Sequence, residues 1–128
     1  MLIKLLKAKI HHAIVTQTEV NYHGSITIDQ DLLRATGLLP NEAVTVADCE
    51  NGNRFETYII PGAAGSGVIA INGAAARLSK VGNRVIVMSF ARMTPDEAAS
   101  HRSKVIILNE NNEIVETVSH STKLDAIE

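Results

Sequence analysis

The sequence predicts a mainly β protein, a barrel or sandwich of short strands with small flanking helices, and three observations predict it. Short β-rich runs are punctuated by Gly, Asn and Pro; their spacing is too tight for a regular strand–helix–strand alternation; and 45% of the 128 residues are hydrophobic, enough for a real core. Candidate strands span 4–17, 25–28, 43–49, 54–60, 67–71, 84–89 and 104–108, with a weaker one at 114–118. Asn51-Gly52-Asn53 is a hairpin signature because Asn-Gly readily takes positive φ, so 43–49 and 54–60 are expected to pair. Val81-Gly82-Asn83 is a second turn signal. Asp29 as N-cap, the apolar Leu32 and Leu33, and Gly37 beyond Thr36 predict a short helix over about 30–36. Asp96, Glu97, Ala98 and Ala99 after Pro95 predict a second helical turn. The tail after Leu108 is polar, and its end beyond Val118 is expected to fray. The length suits one domain spanning 1–128.

Charge and composition exclude several function classes. Twelve basic against fourteen acidic side chains give a net charge of −2, which disfavours a nucleic-acid partner. The single cysteine, Cys49, permits no internal disulfide and no thiolate metal cluster, as in a reducing cytoplasmic setting. Lysines are spread through the apolar N-terminus instead of preceding it, which does not fit a signal peptide. No run reaches the roughly 18 apolar residues of a membrane helix, so a soluble protein is expected.

A few segments carry chemistry or imitate it. Tyr22-His23-Gly24-Ser25 reads as a hairpin turn; alternatively, a serine hydroxyl directly after glycine attacks the preceding carbonyl carbon when the turn is strained. Arg54 and Tyr58 share one strand face while Phe55 and Thr57 take the other. They are a surface charge and a wall residue, or else a carboxylate fork beside a proton donor. Ile71-Asn72-Gly73-Ala74-Ala75-Ala76 is poor in side chains, as a tightly packed helix start or as backbone N–H groups left open for a polar ligand. The glycine-rich stretch 62–67 lacks the Lys-Ser/Thr of a phosphate loop and reads as a flexible connector. His11-His12 is a weak metal signal because adjacent strand residues face opposite ways, so no metal site is expected. Lys9 and His11 share a face, opposite Ile10.

Taken together, these pieces resemble the aspartate 1-decarboxylase family of pyruvoyl-dependent enzymes, nearly continuously from Lys4 to Ile107. The resemblance rests on Lys9-Ile10-His11, Val15-Thr16, the run from Tyr22 through Ser25 to Asp29, Asn41-Glu42, the run from Asn51 to Tyr58, and the run from Ile71 to Ala76. It departs at Ala47-Asp48, where a bulky residue and Asn are expected, and at Ser103 and Asn109, where Pro and Asp are more usual.

The resemblance implies a double-psi β-barrel, a homotetramer with active sites between subunits, and decarboxylation of L-aspartate to β-alanine for pantothenate synthesis. It implies autocatalytic cleavage between Gly24 and Ser25, giving chains 1–24 and 25–128 and a covalently bound pyruvoyl group derived from Ser25; cleavage is either spontaneous or aided by a maturation factor, and the sequence leaves the two open. It makes Tyr58 the proton donor, and gives Thr57 both a substrate contact and support of the oxyanion at Gly24. It assigns Lys9 and Arg54 to substrate carboxylates. Asn72, Gly73, Ala74 and Ala75 would face the substrate. Strand alternation sets Thr57 opposite Tyr58, so either the strand bends there or the site lies at its end between subunits. The rivals are a non-catalytic β-barrel binding or regulatory module, and a pyruvoyl enzyme for another amino acid.

Overall fold

The computed structural model describes residues 1–124. The elements are β1 (Ile3–Ile14), β2 (Gln17–Glu19), β3 (Ser25–Asp29), α1 (Gln30–Thr36), β4 (Ala43–Asp48), β5 (Arg54–Gly62), β6 (Ile69–Asn72), a 3-10 helix (Ala74–Leu78), β7 (Arg84–Met93), α2 (Pro95–Ser100), β8 (Arg102–Leu108) and β9 (Ile114–Ser121). Alternation drives the strands. In β4, Val44, Val46 and Asp48 turn inward while Ala43, Thr45 and Ala47 turn out. The core is aliphatic and largely β-branched, with Ile10, Ile26, Ile28, Ile59, Val87 and Ile106 fully buried.

Strand order is β2-β6-β3-β5-β4-β7-β1-β8-β9. The sheet closes because β1 runs on through Val15 and Thr16 into β2. β1 pairs antiparallel with β7 from Ile3 to Ile14, and its continuation β2 pairs parallel with β6. Thr16 carries the join: its N–H donates to the Ile69 carbonyl at 2.8 Å, and its Oγ1 accepts from Ile69 N–H at 2.9 Å. A side chain replaces a ladder bond where the chain bends. The mainly β architecture with parallel pairs β1–β8 and β3–β5 is consistent with a double-psi β-barrel.

The helices form as expected. Asp29 caps α1 by accepting from Asp31 N–H at 2.8 Å, and Gly37 ends it at φ 77°. A Thr94–Glu97 capping box with Pro95 in the first turn starts α2. β4 and β5 pair across the Asn-Gly turn.

Five expectations are corrected. The run 4–17 is not one regular strand: bulges interrupt β1 between Leu6 and Ala8 and between Ile10 and Ala13. Tyr22–Ser25 is no hairpin, because β2 and β3 flank β6 and the chain crosses its end. The stretch 62–67 is no free connector, since the buried Asp29 carboxylate accepts from Gly65 N–H at 3.0 Å and Gly67 N–H at 2.8 Å. His11 and His12 do not face opposite ways. The bulge sets His12 at φ 62° and stacks the two rings with centroids 3.8 Å apart. The tail beyond Val118 does not fray at once, because β9 pairs with β8 as far as Ser121.

The departure at Asp48 also gains a physical reason. Its buried carboxylate accepts from Ser79 Oγ at 2.6 Å, Asn83 Nδ2 at 2.9 Å and Glu50 N–H at 2.8 Å, tying β4 to the loop before β7. Burial opposes ionisation there, but these donors outweigh it and hold the carboxyl below its ordinary range.

Candidate active site

Ser25 opens β3 and is fully buried. Its antiparallel partner is Asn72, the last residue of β6. Asn72 Nδ2 donates to Ser25 Oγ at 3.1 Å and to Thr27 Oγ1 at 3.1 Å, while Ser25 Oγ donates to the His23 carbonyl at 3.2 Å. The serine hydroxyl is thus held from two sides, with no carboxylate or imidazole bonded to it among the described residues.

Gly73 follows at φ 83°, a conformation that only glycine adopts without strain. A Cβ there would stand 2.7 Å from Gly24 Cα and 2.9 Å from Gly24 N. At Gly24 itself an added Cβ would meet nothing within 4 Å, and its φ is not positive. Gly24 is therefore not in the left-handed region; the close approach belongs to Gly73, whose N–H donates to the Glu19 carbonyl at 2.7 Å. Ala74 and Ala75 begin the 3-10 helix, exposed and half-buried respectively.

β5 lies beside β3 in parallel, with Ile26 opposite Ile59. One step back along both strands sets Ser25 level with Tyr58, and a second sets Gly24 level with Thr57. Thr57 is half-buried on the inward side, opposite Val44, whereas Tyr58 is 37% exposed on the outward side. The alternation read from the sequence persists, and the strand does not bend to bring the two together. Arg54 is exposed on the Tyr58 face, four residues and so about 13 Å away along the strand.

Lys9 is remote. It lies on β1 in the row Lys9–Met88–Thr45–Glu56, three strands from β5 and so about 14 Å across the sheet. Beside this row a groove of 200 Å³ is lined by Lys4, Thr45, Glu56, Met88, Phe90 and Arg92. Close by on β1, His11 has a buried Nδ1 with no hydrogen-bond partner among the described residues. Burial, then the neighbouring charges of His12 and Lys9, lower its pKa. The chain thus brings together Gly24, Ser25, Asn72 and Gly73, with Thr57 and Tyr58 level on the next strand, and keeps Arg54 and Lys9 apart. Thr27 was not singled out from the sequence. Its signal is present there, since it sits two residues from Ser25 and therefore on the same face.

Glu42, named only within a motif, fastens this region. Its carboxylate accepts from Lys7 Nζ at 2.9 Å, from Leu39 N–H at 3.0 Å and from Ser89 Oγ. Its backbone carbonyl accepts from Ile59 N–H at 3.1 Å, one residue past Tyr58. Burial raises its pKa, but Ser89 and Lys7 outweigh burial and leave it lowered.

Fold and site define a closed β-barrel whose buried polar centre is a serine hydroxyl against an amide and a glycine. The family profile described as aspartate decarboxylase matches residues 1–115. Similar proteins include the aspartate 1-decarboxylase of Bacillus licheniformis, 55% identical and covering 88% of each chain, and that of Bacillus subtilis, 54% identical over 86% of this chain and 87% of the relative. The aspartate 1-decarboxylase of Clostridium beijerinckii is 49% identical over 95% of this chain and 98% of its own. The chain belongs to the aspartate decarboxylase family.

Proposed function

We propose that the chain, one domain over 1–128, decarboxylates L-aspartate to β-alanine and carbon dioxide in the cytoplasm, the product serving pantothenate and coenzyme A synthesis. Before doing so it cleaves itself between Gly24 and Ser25. The observation that carries the reading is the buried Ser25 hydroxyl held by Asn72 directly after a glycine that Gly73 touches. It occurs in a chain of this family.

Ser25 Oγ attacks the Gly24 carbonyl carbon; the bond to the Ser25 nitrogen breaks, the nitrogen takes the hydroxyl proton, and an ester remains. Thr57, level with Gly24, supports the oxyanion formed on the way. Loss of the Ser25 Cα proton to water and of the Gly24 carboxylate leaves dehydroalanine. Water then adds and ammonia departs, so that 25–128 begins with a pyruvoyl group. The residues fit that group, because Ser25 is enclosed at the β3–β6 end and Gly73 leaves room where any side chain would intrude. Its ketone gives the electrons of the broken carbon–carboxylate bond somewhere to go.

The other residues handle aspartate. Tyr58, level with Ser25 and partly exposed, returns a proton to the carbon that lost its carboxylate. Arg54 grips a carboxylate through its fork and Lys9 supplies a second cation. Asn72, Gly73, Ala74 and Ala75 line the pocket. Lys9 lies three strands from Arg54 on the same chain, and a neighbouring copy, in a homotetramer, completes the site. A maturation factor is a partner only if the purified chain cleaves slowly alone.

Intact mass of freshly purified protein tests the reading, together with β-alanine formation from aspartate. Expected are a fragment ending at Gly24 and a larger one with a blocked N-terminus. One uncleaved chain that decarboxylates aspartate would overturn it, and one uncleaved, inactive chain would favour a binding module.

A further inference from the structure

Ser25 and Thr27 are two apart on β3, so both hydroxyls face Asn72, and one carboxamide nitrogen donates to both at 3.1 Å. Asn72 is only 5% exposed and sits at the end of β6. A primary amide has two N–H donors on one nitrogen, set in a plane. When Thr27 Oγ1 accepts one of them, the plane is fixed and the other N–H is aimed at Ser25 Oγ. Without that acceptor the amide could rotate away from the serine, at the cost of a single hydrogen bond.

We propose that Thr27 is a positioning residue for self-cleavage, holding the Asn72 carboxamide so that its N–H donates to Ser25 Oγ. The proposal rests on the functional reading above and adds to it. In the elimination step the Ser25 Cα proton leaves to water, the Cβ–Oγ bond breaks, and its electron pair stays on Oγ, which departs as one oxygen of the Gly24 carboxylate. Negative charge therefore grows on the atom that Asn72 N–H faces, and a donor aimed there beforehand lowers the barrier. Thr27 touches no reacting atom and acts through Asn72.

The test follows cleavage of freshly translated full-length chain by intact mass, at one temperature, for wild type, Thr27→Ser, Thr27→Val and Thr27→Ala, with Tm measured for each. Ser keeps the hydroxyl; Val keeps the shape, including the methyl packed near Gly62. The expected order is wild type and Thr27→Ser alike, with Thr27→Val and Thr27→Ala slower about tenfold, the scale of one hydrogen bond lost at the transition state. A packing role gives the opposite order, Val like wild type and Ser slow, and overturns the proposal, as do four equal rates. If Thr27→Val does not fold, the Ser and Ala pair makes the same comparison. A wild-type chain that never cleaves overturns the functional reading and this inference together, whereas a cleaving wild type with an unaffected Thr27→Val overturns this inference alone.

Discussion

The β3–β6 end and the outer face of β1, β7, β4 and β5 are built on opposite plans. At the first, Ser25, Asn72 and Gly73 are buried, with Asn72 bonded to Ser25 and Gly73 close against Gly24. On the second, Arg54 and Tyr58 are exposed and spaced along a strand, while Lys9 stands three strands off. Under the proposed function, the difference follows from the chemistry. Breaking the chain's own backbone needs only neighbours in the same molecule, fixed at close range. Gripping a small dicarboxylate needs charges that stay solvated until substrate arrives and that converge from more than one surface. Under the proposed function, the first site is read from one chain and the second is completed by a neighbouring copy.

The largest effect that would break this contrast is at Ser25. Ser25→Ala removes the nucleophile and should abolish cleavage while leaving a folded, full-length chain, seen as a single intact mass with a cooperative melt. Partial cleavage of that variant would deny the first region its self-contained role. Tyr58→Phe comes next: cleavage should proceed normally while kcat for aspartate falls by about 10²–10⁴, the usual contribution of a general acid. If kcat holds, Tyr58 is a wall of the pocket and the proton comes from elsewhere.

Arg54→Ala is expected to cleave normally and to lose about 10–100-fold in kcat/KM for aspartate, the scale of one or two hydrogen bonds to a charged group. An unchanged kcat/KM would remove Arg54 from the carboxylate fork. The smallest effect concerns Glu42, which ties β1 and β7 to the start of β4 and to β5. Its folded pKa is depressed, so its stabilisation is present above the unfolded value near 4.5 and is lost as pH falls through the lower folded value. Glu42→Gln should therefore lower stability by about 1–3 kcal/mol at neutral pH and lessen the loss of stability below pH 4.5, measured by urea denaturation across pH. A variant whose acid limb matches wild type would show that Lys7 and Ser89 do not hold the carboxylate ionised.

Much of the fold was legible because its signals are local. Asp29 and Gly37 bound α1 by capping chemistry, Asn51-Gly52 forces a hairpin, and alternation in 43–47 and 54–59 assigns inward and outward faces. What was misread depends on partners distant in sequence. The crossing at residues 20–24 looks like a turn until β6 arrives between β2 and β3. The glycine-rich stretch 62–67 looks free until Asp29 reaches it, and His11-His12 looks alternating until a bulge opposite Val87 and Val85 rotates one ring onto the other.

By itself, the sequence determined the mainly β class, the short helices, the strand faces and, through the order and spacing of its motifs, the family. These follow from period, capping and turn chemistry, which act over a few residues, and from motif similarity. Only the tertiary structure decided that Asn72 meets both Ser25 and Thr27, that glycine is demanded at 73 and not at 24, and that Lys9 stands apart from Arg54. Those facts depend on which strands become neighbours and in what register. Register is fixed by burying one face of every strand at once, a condition on the whole barrel that no single segment contains.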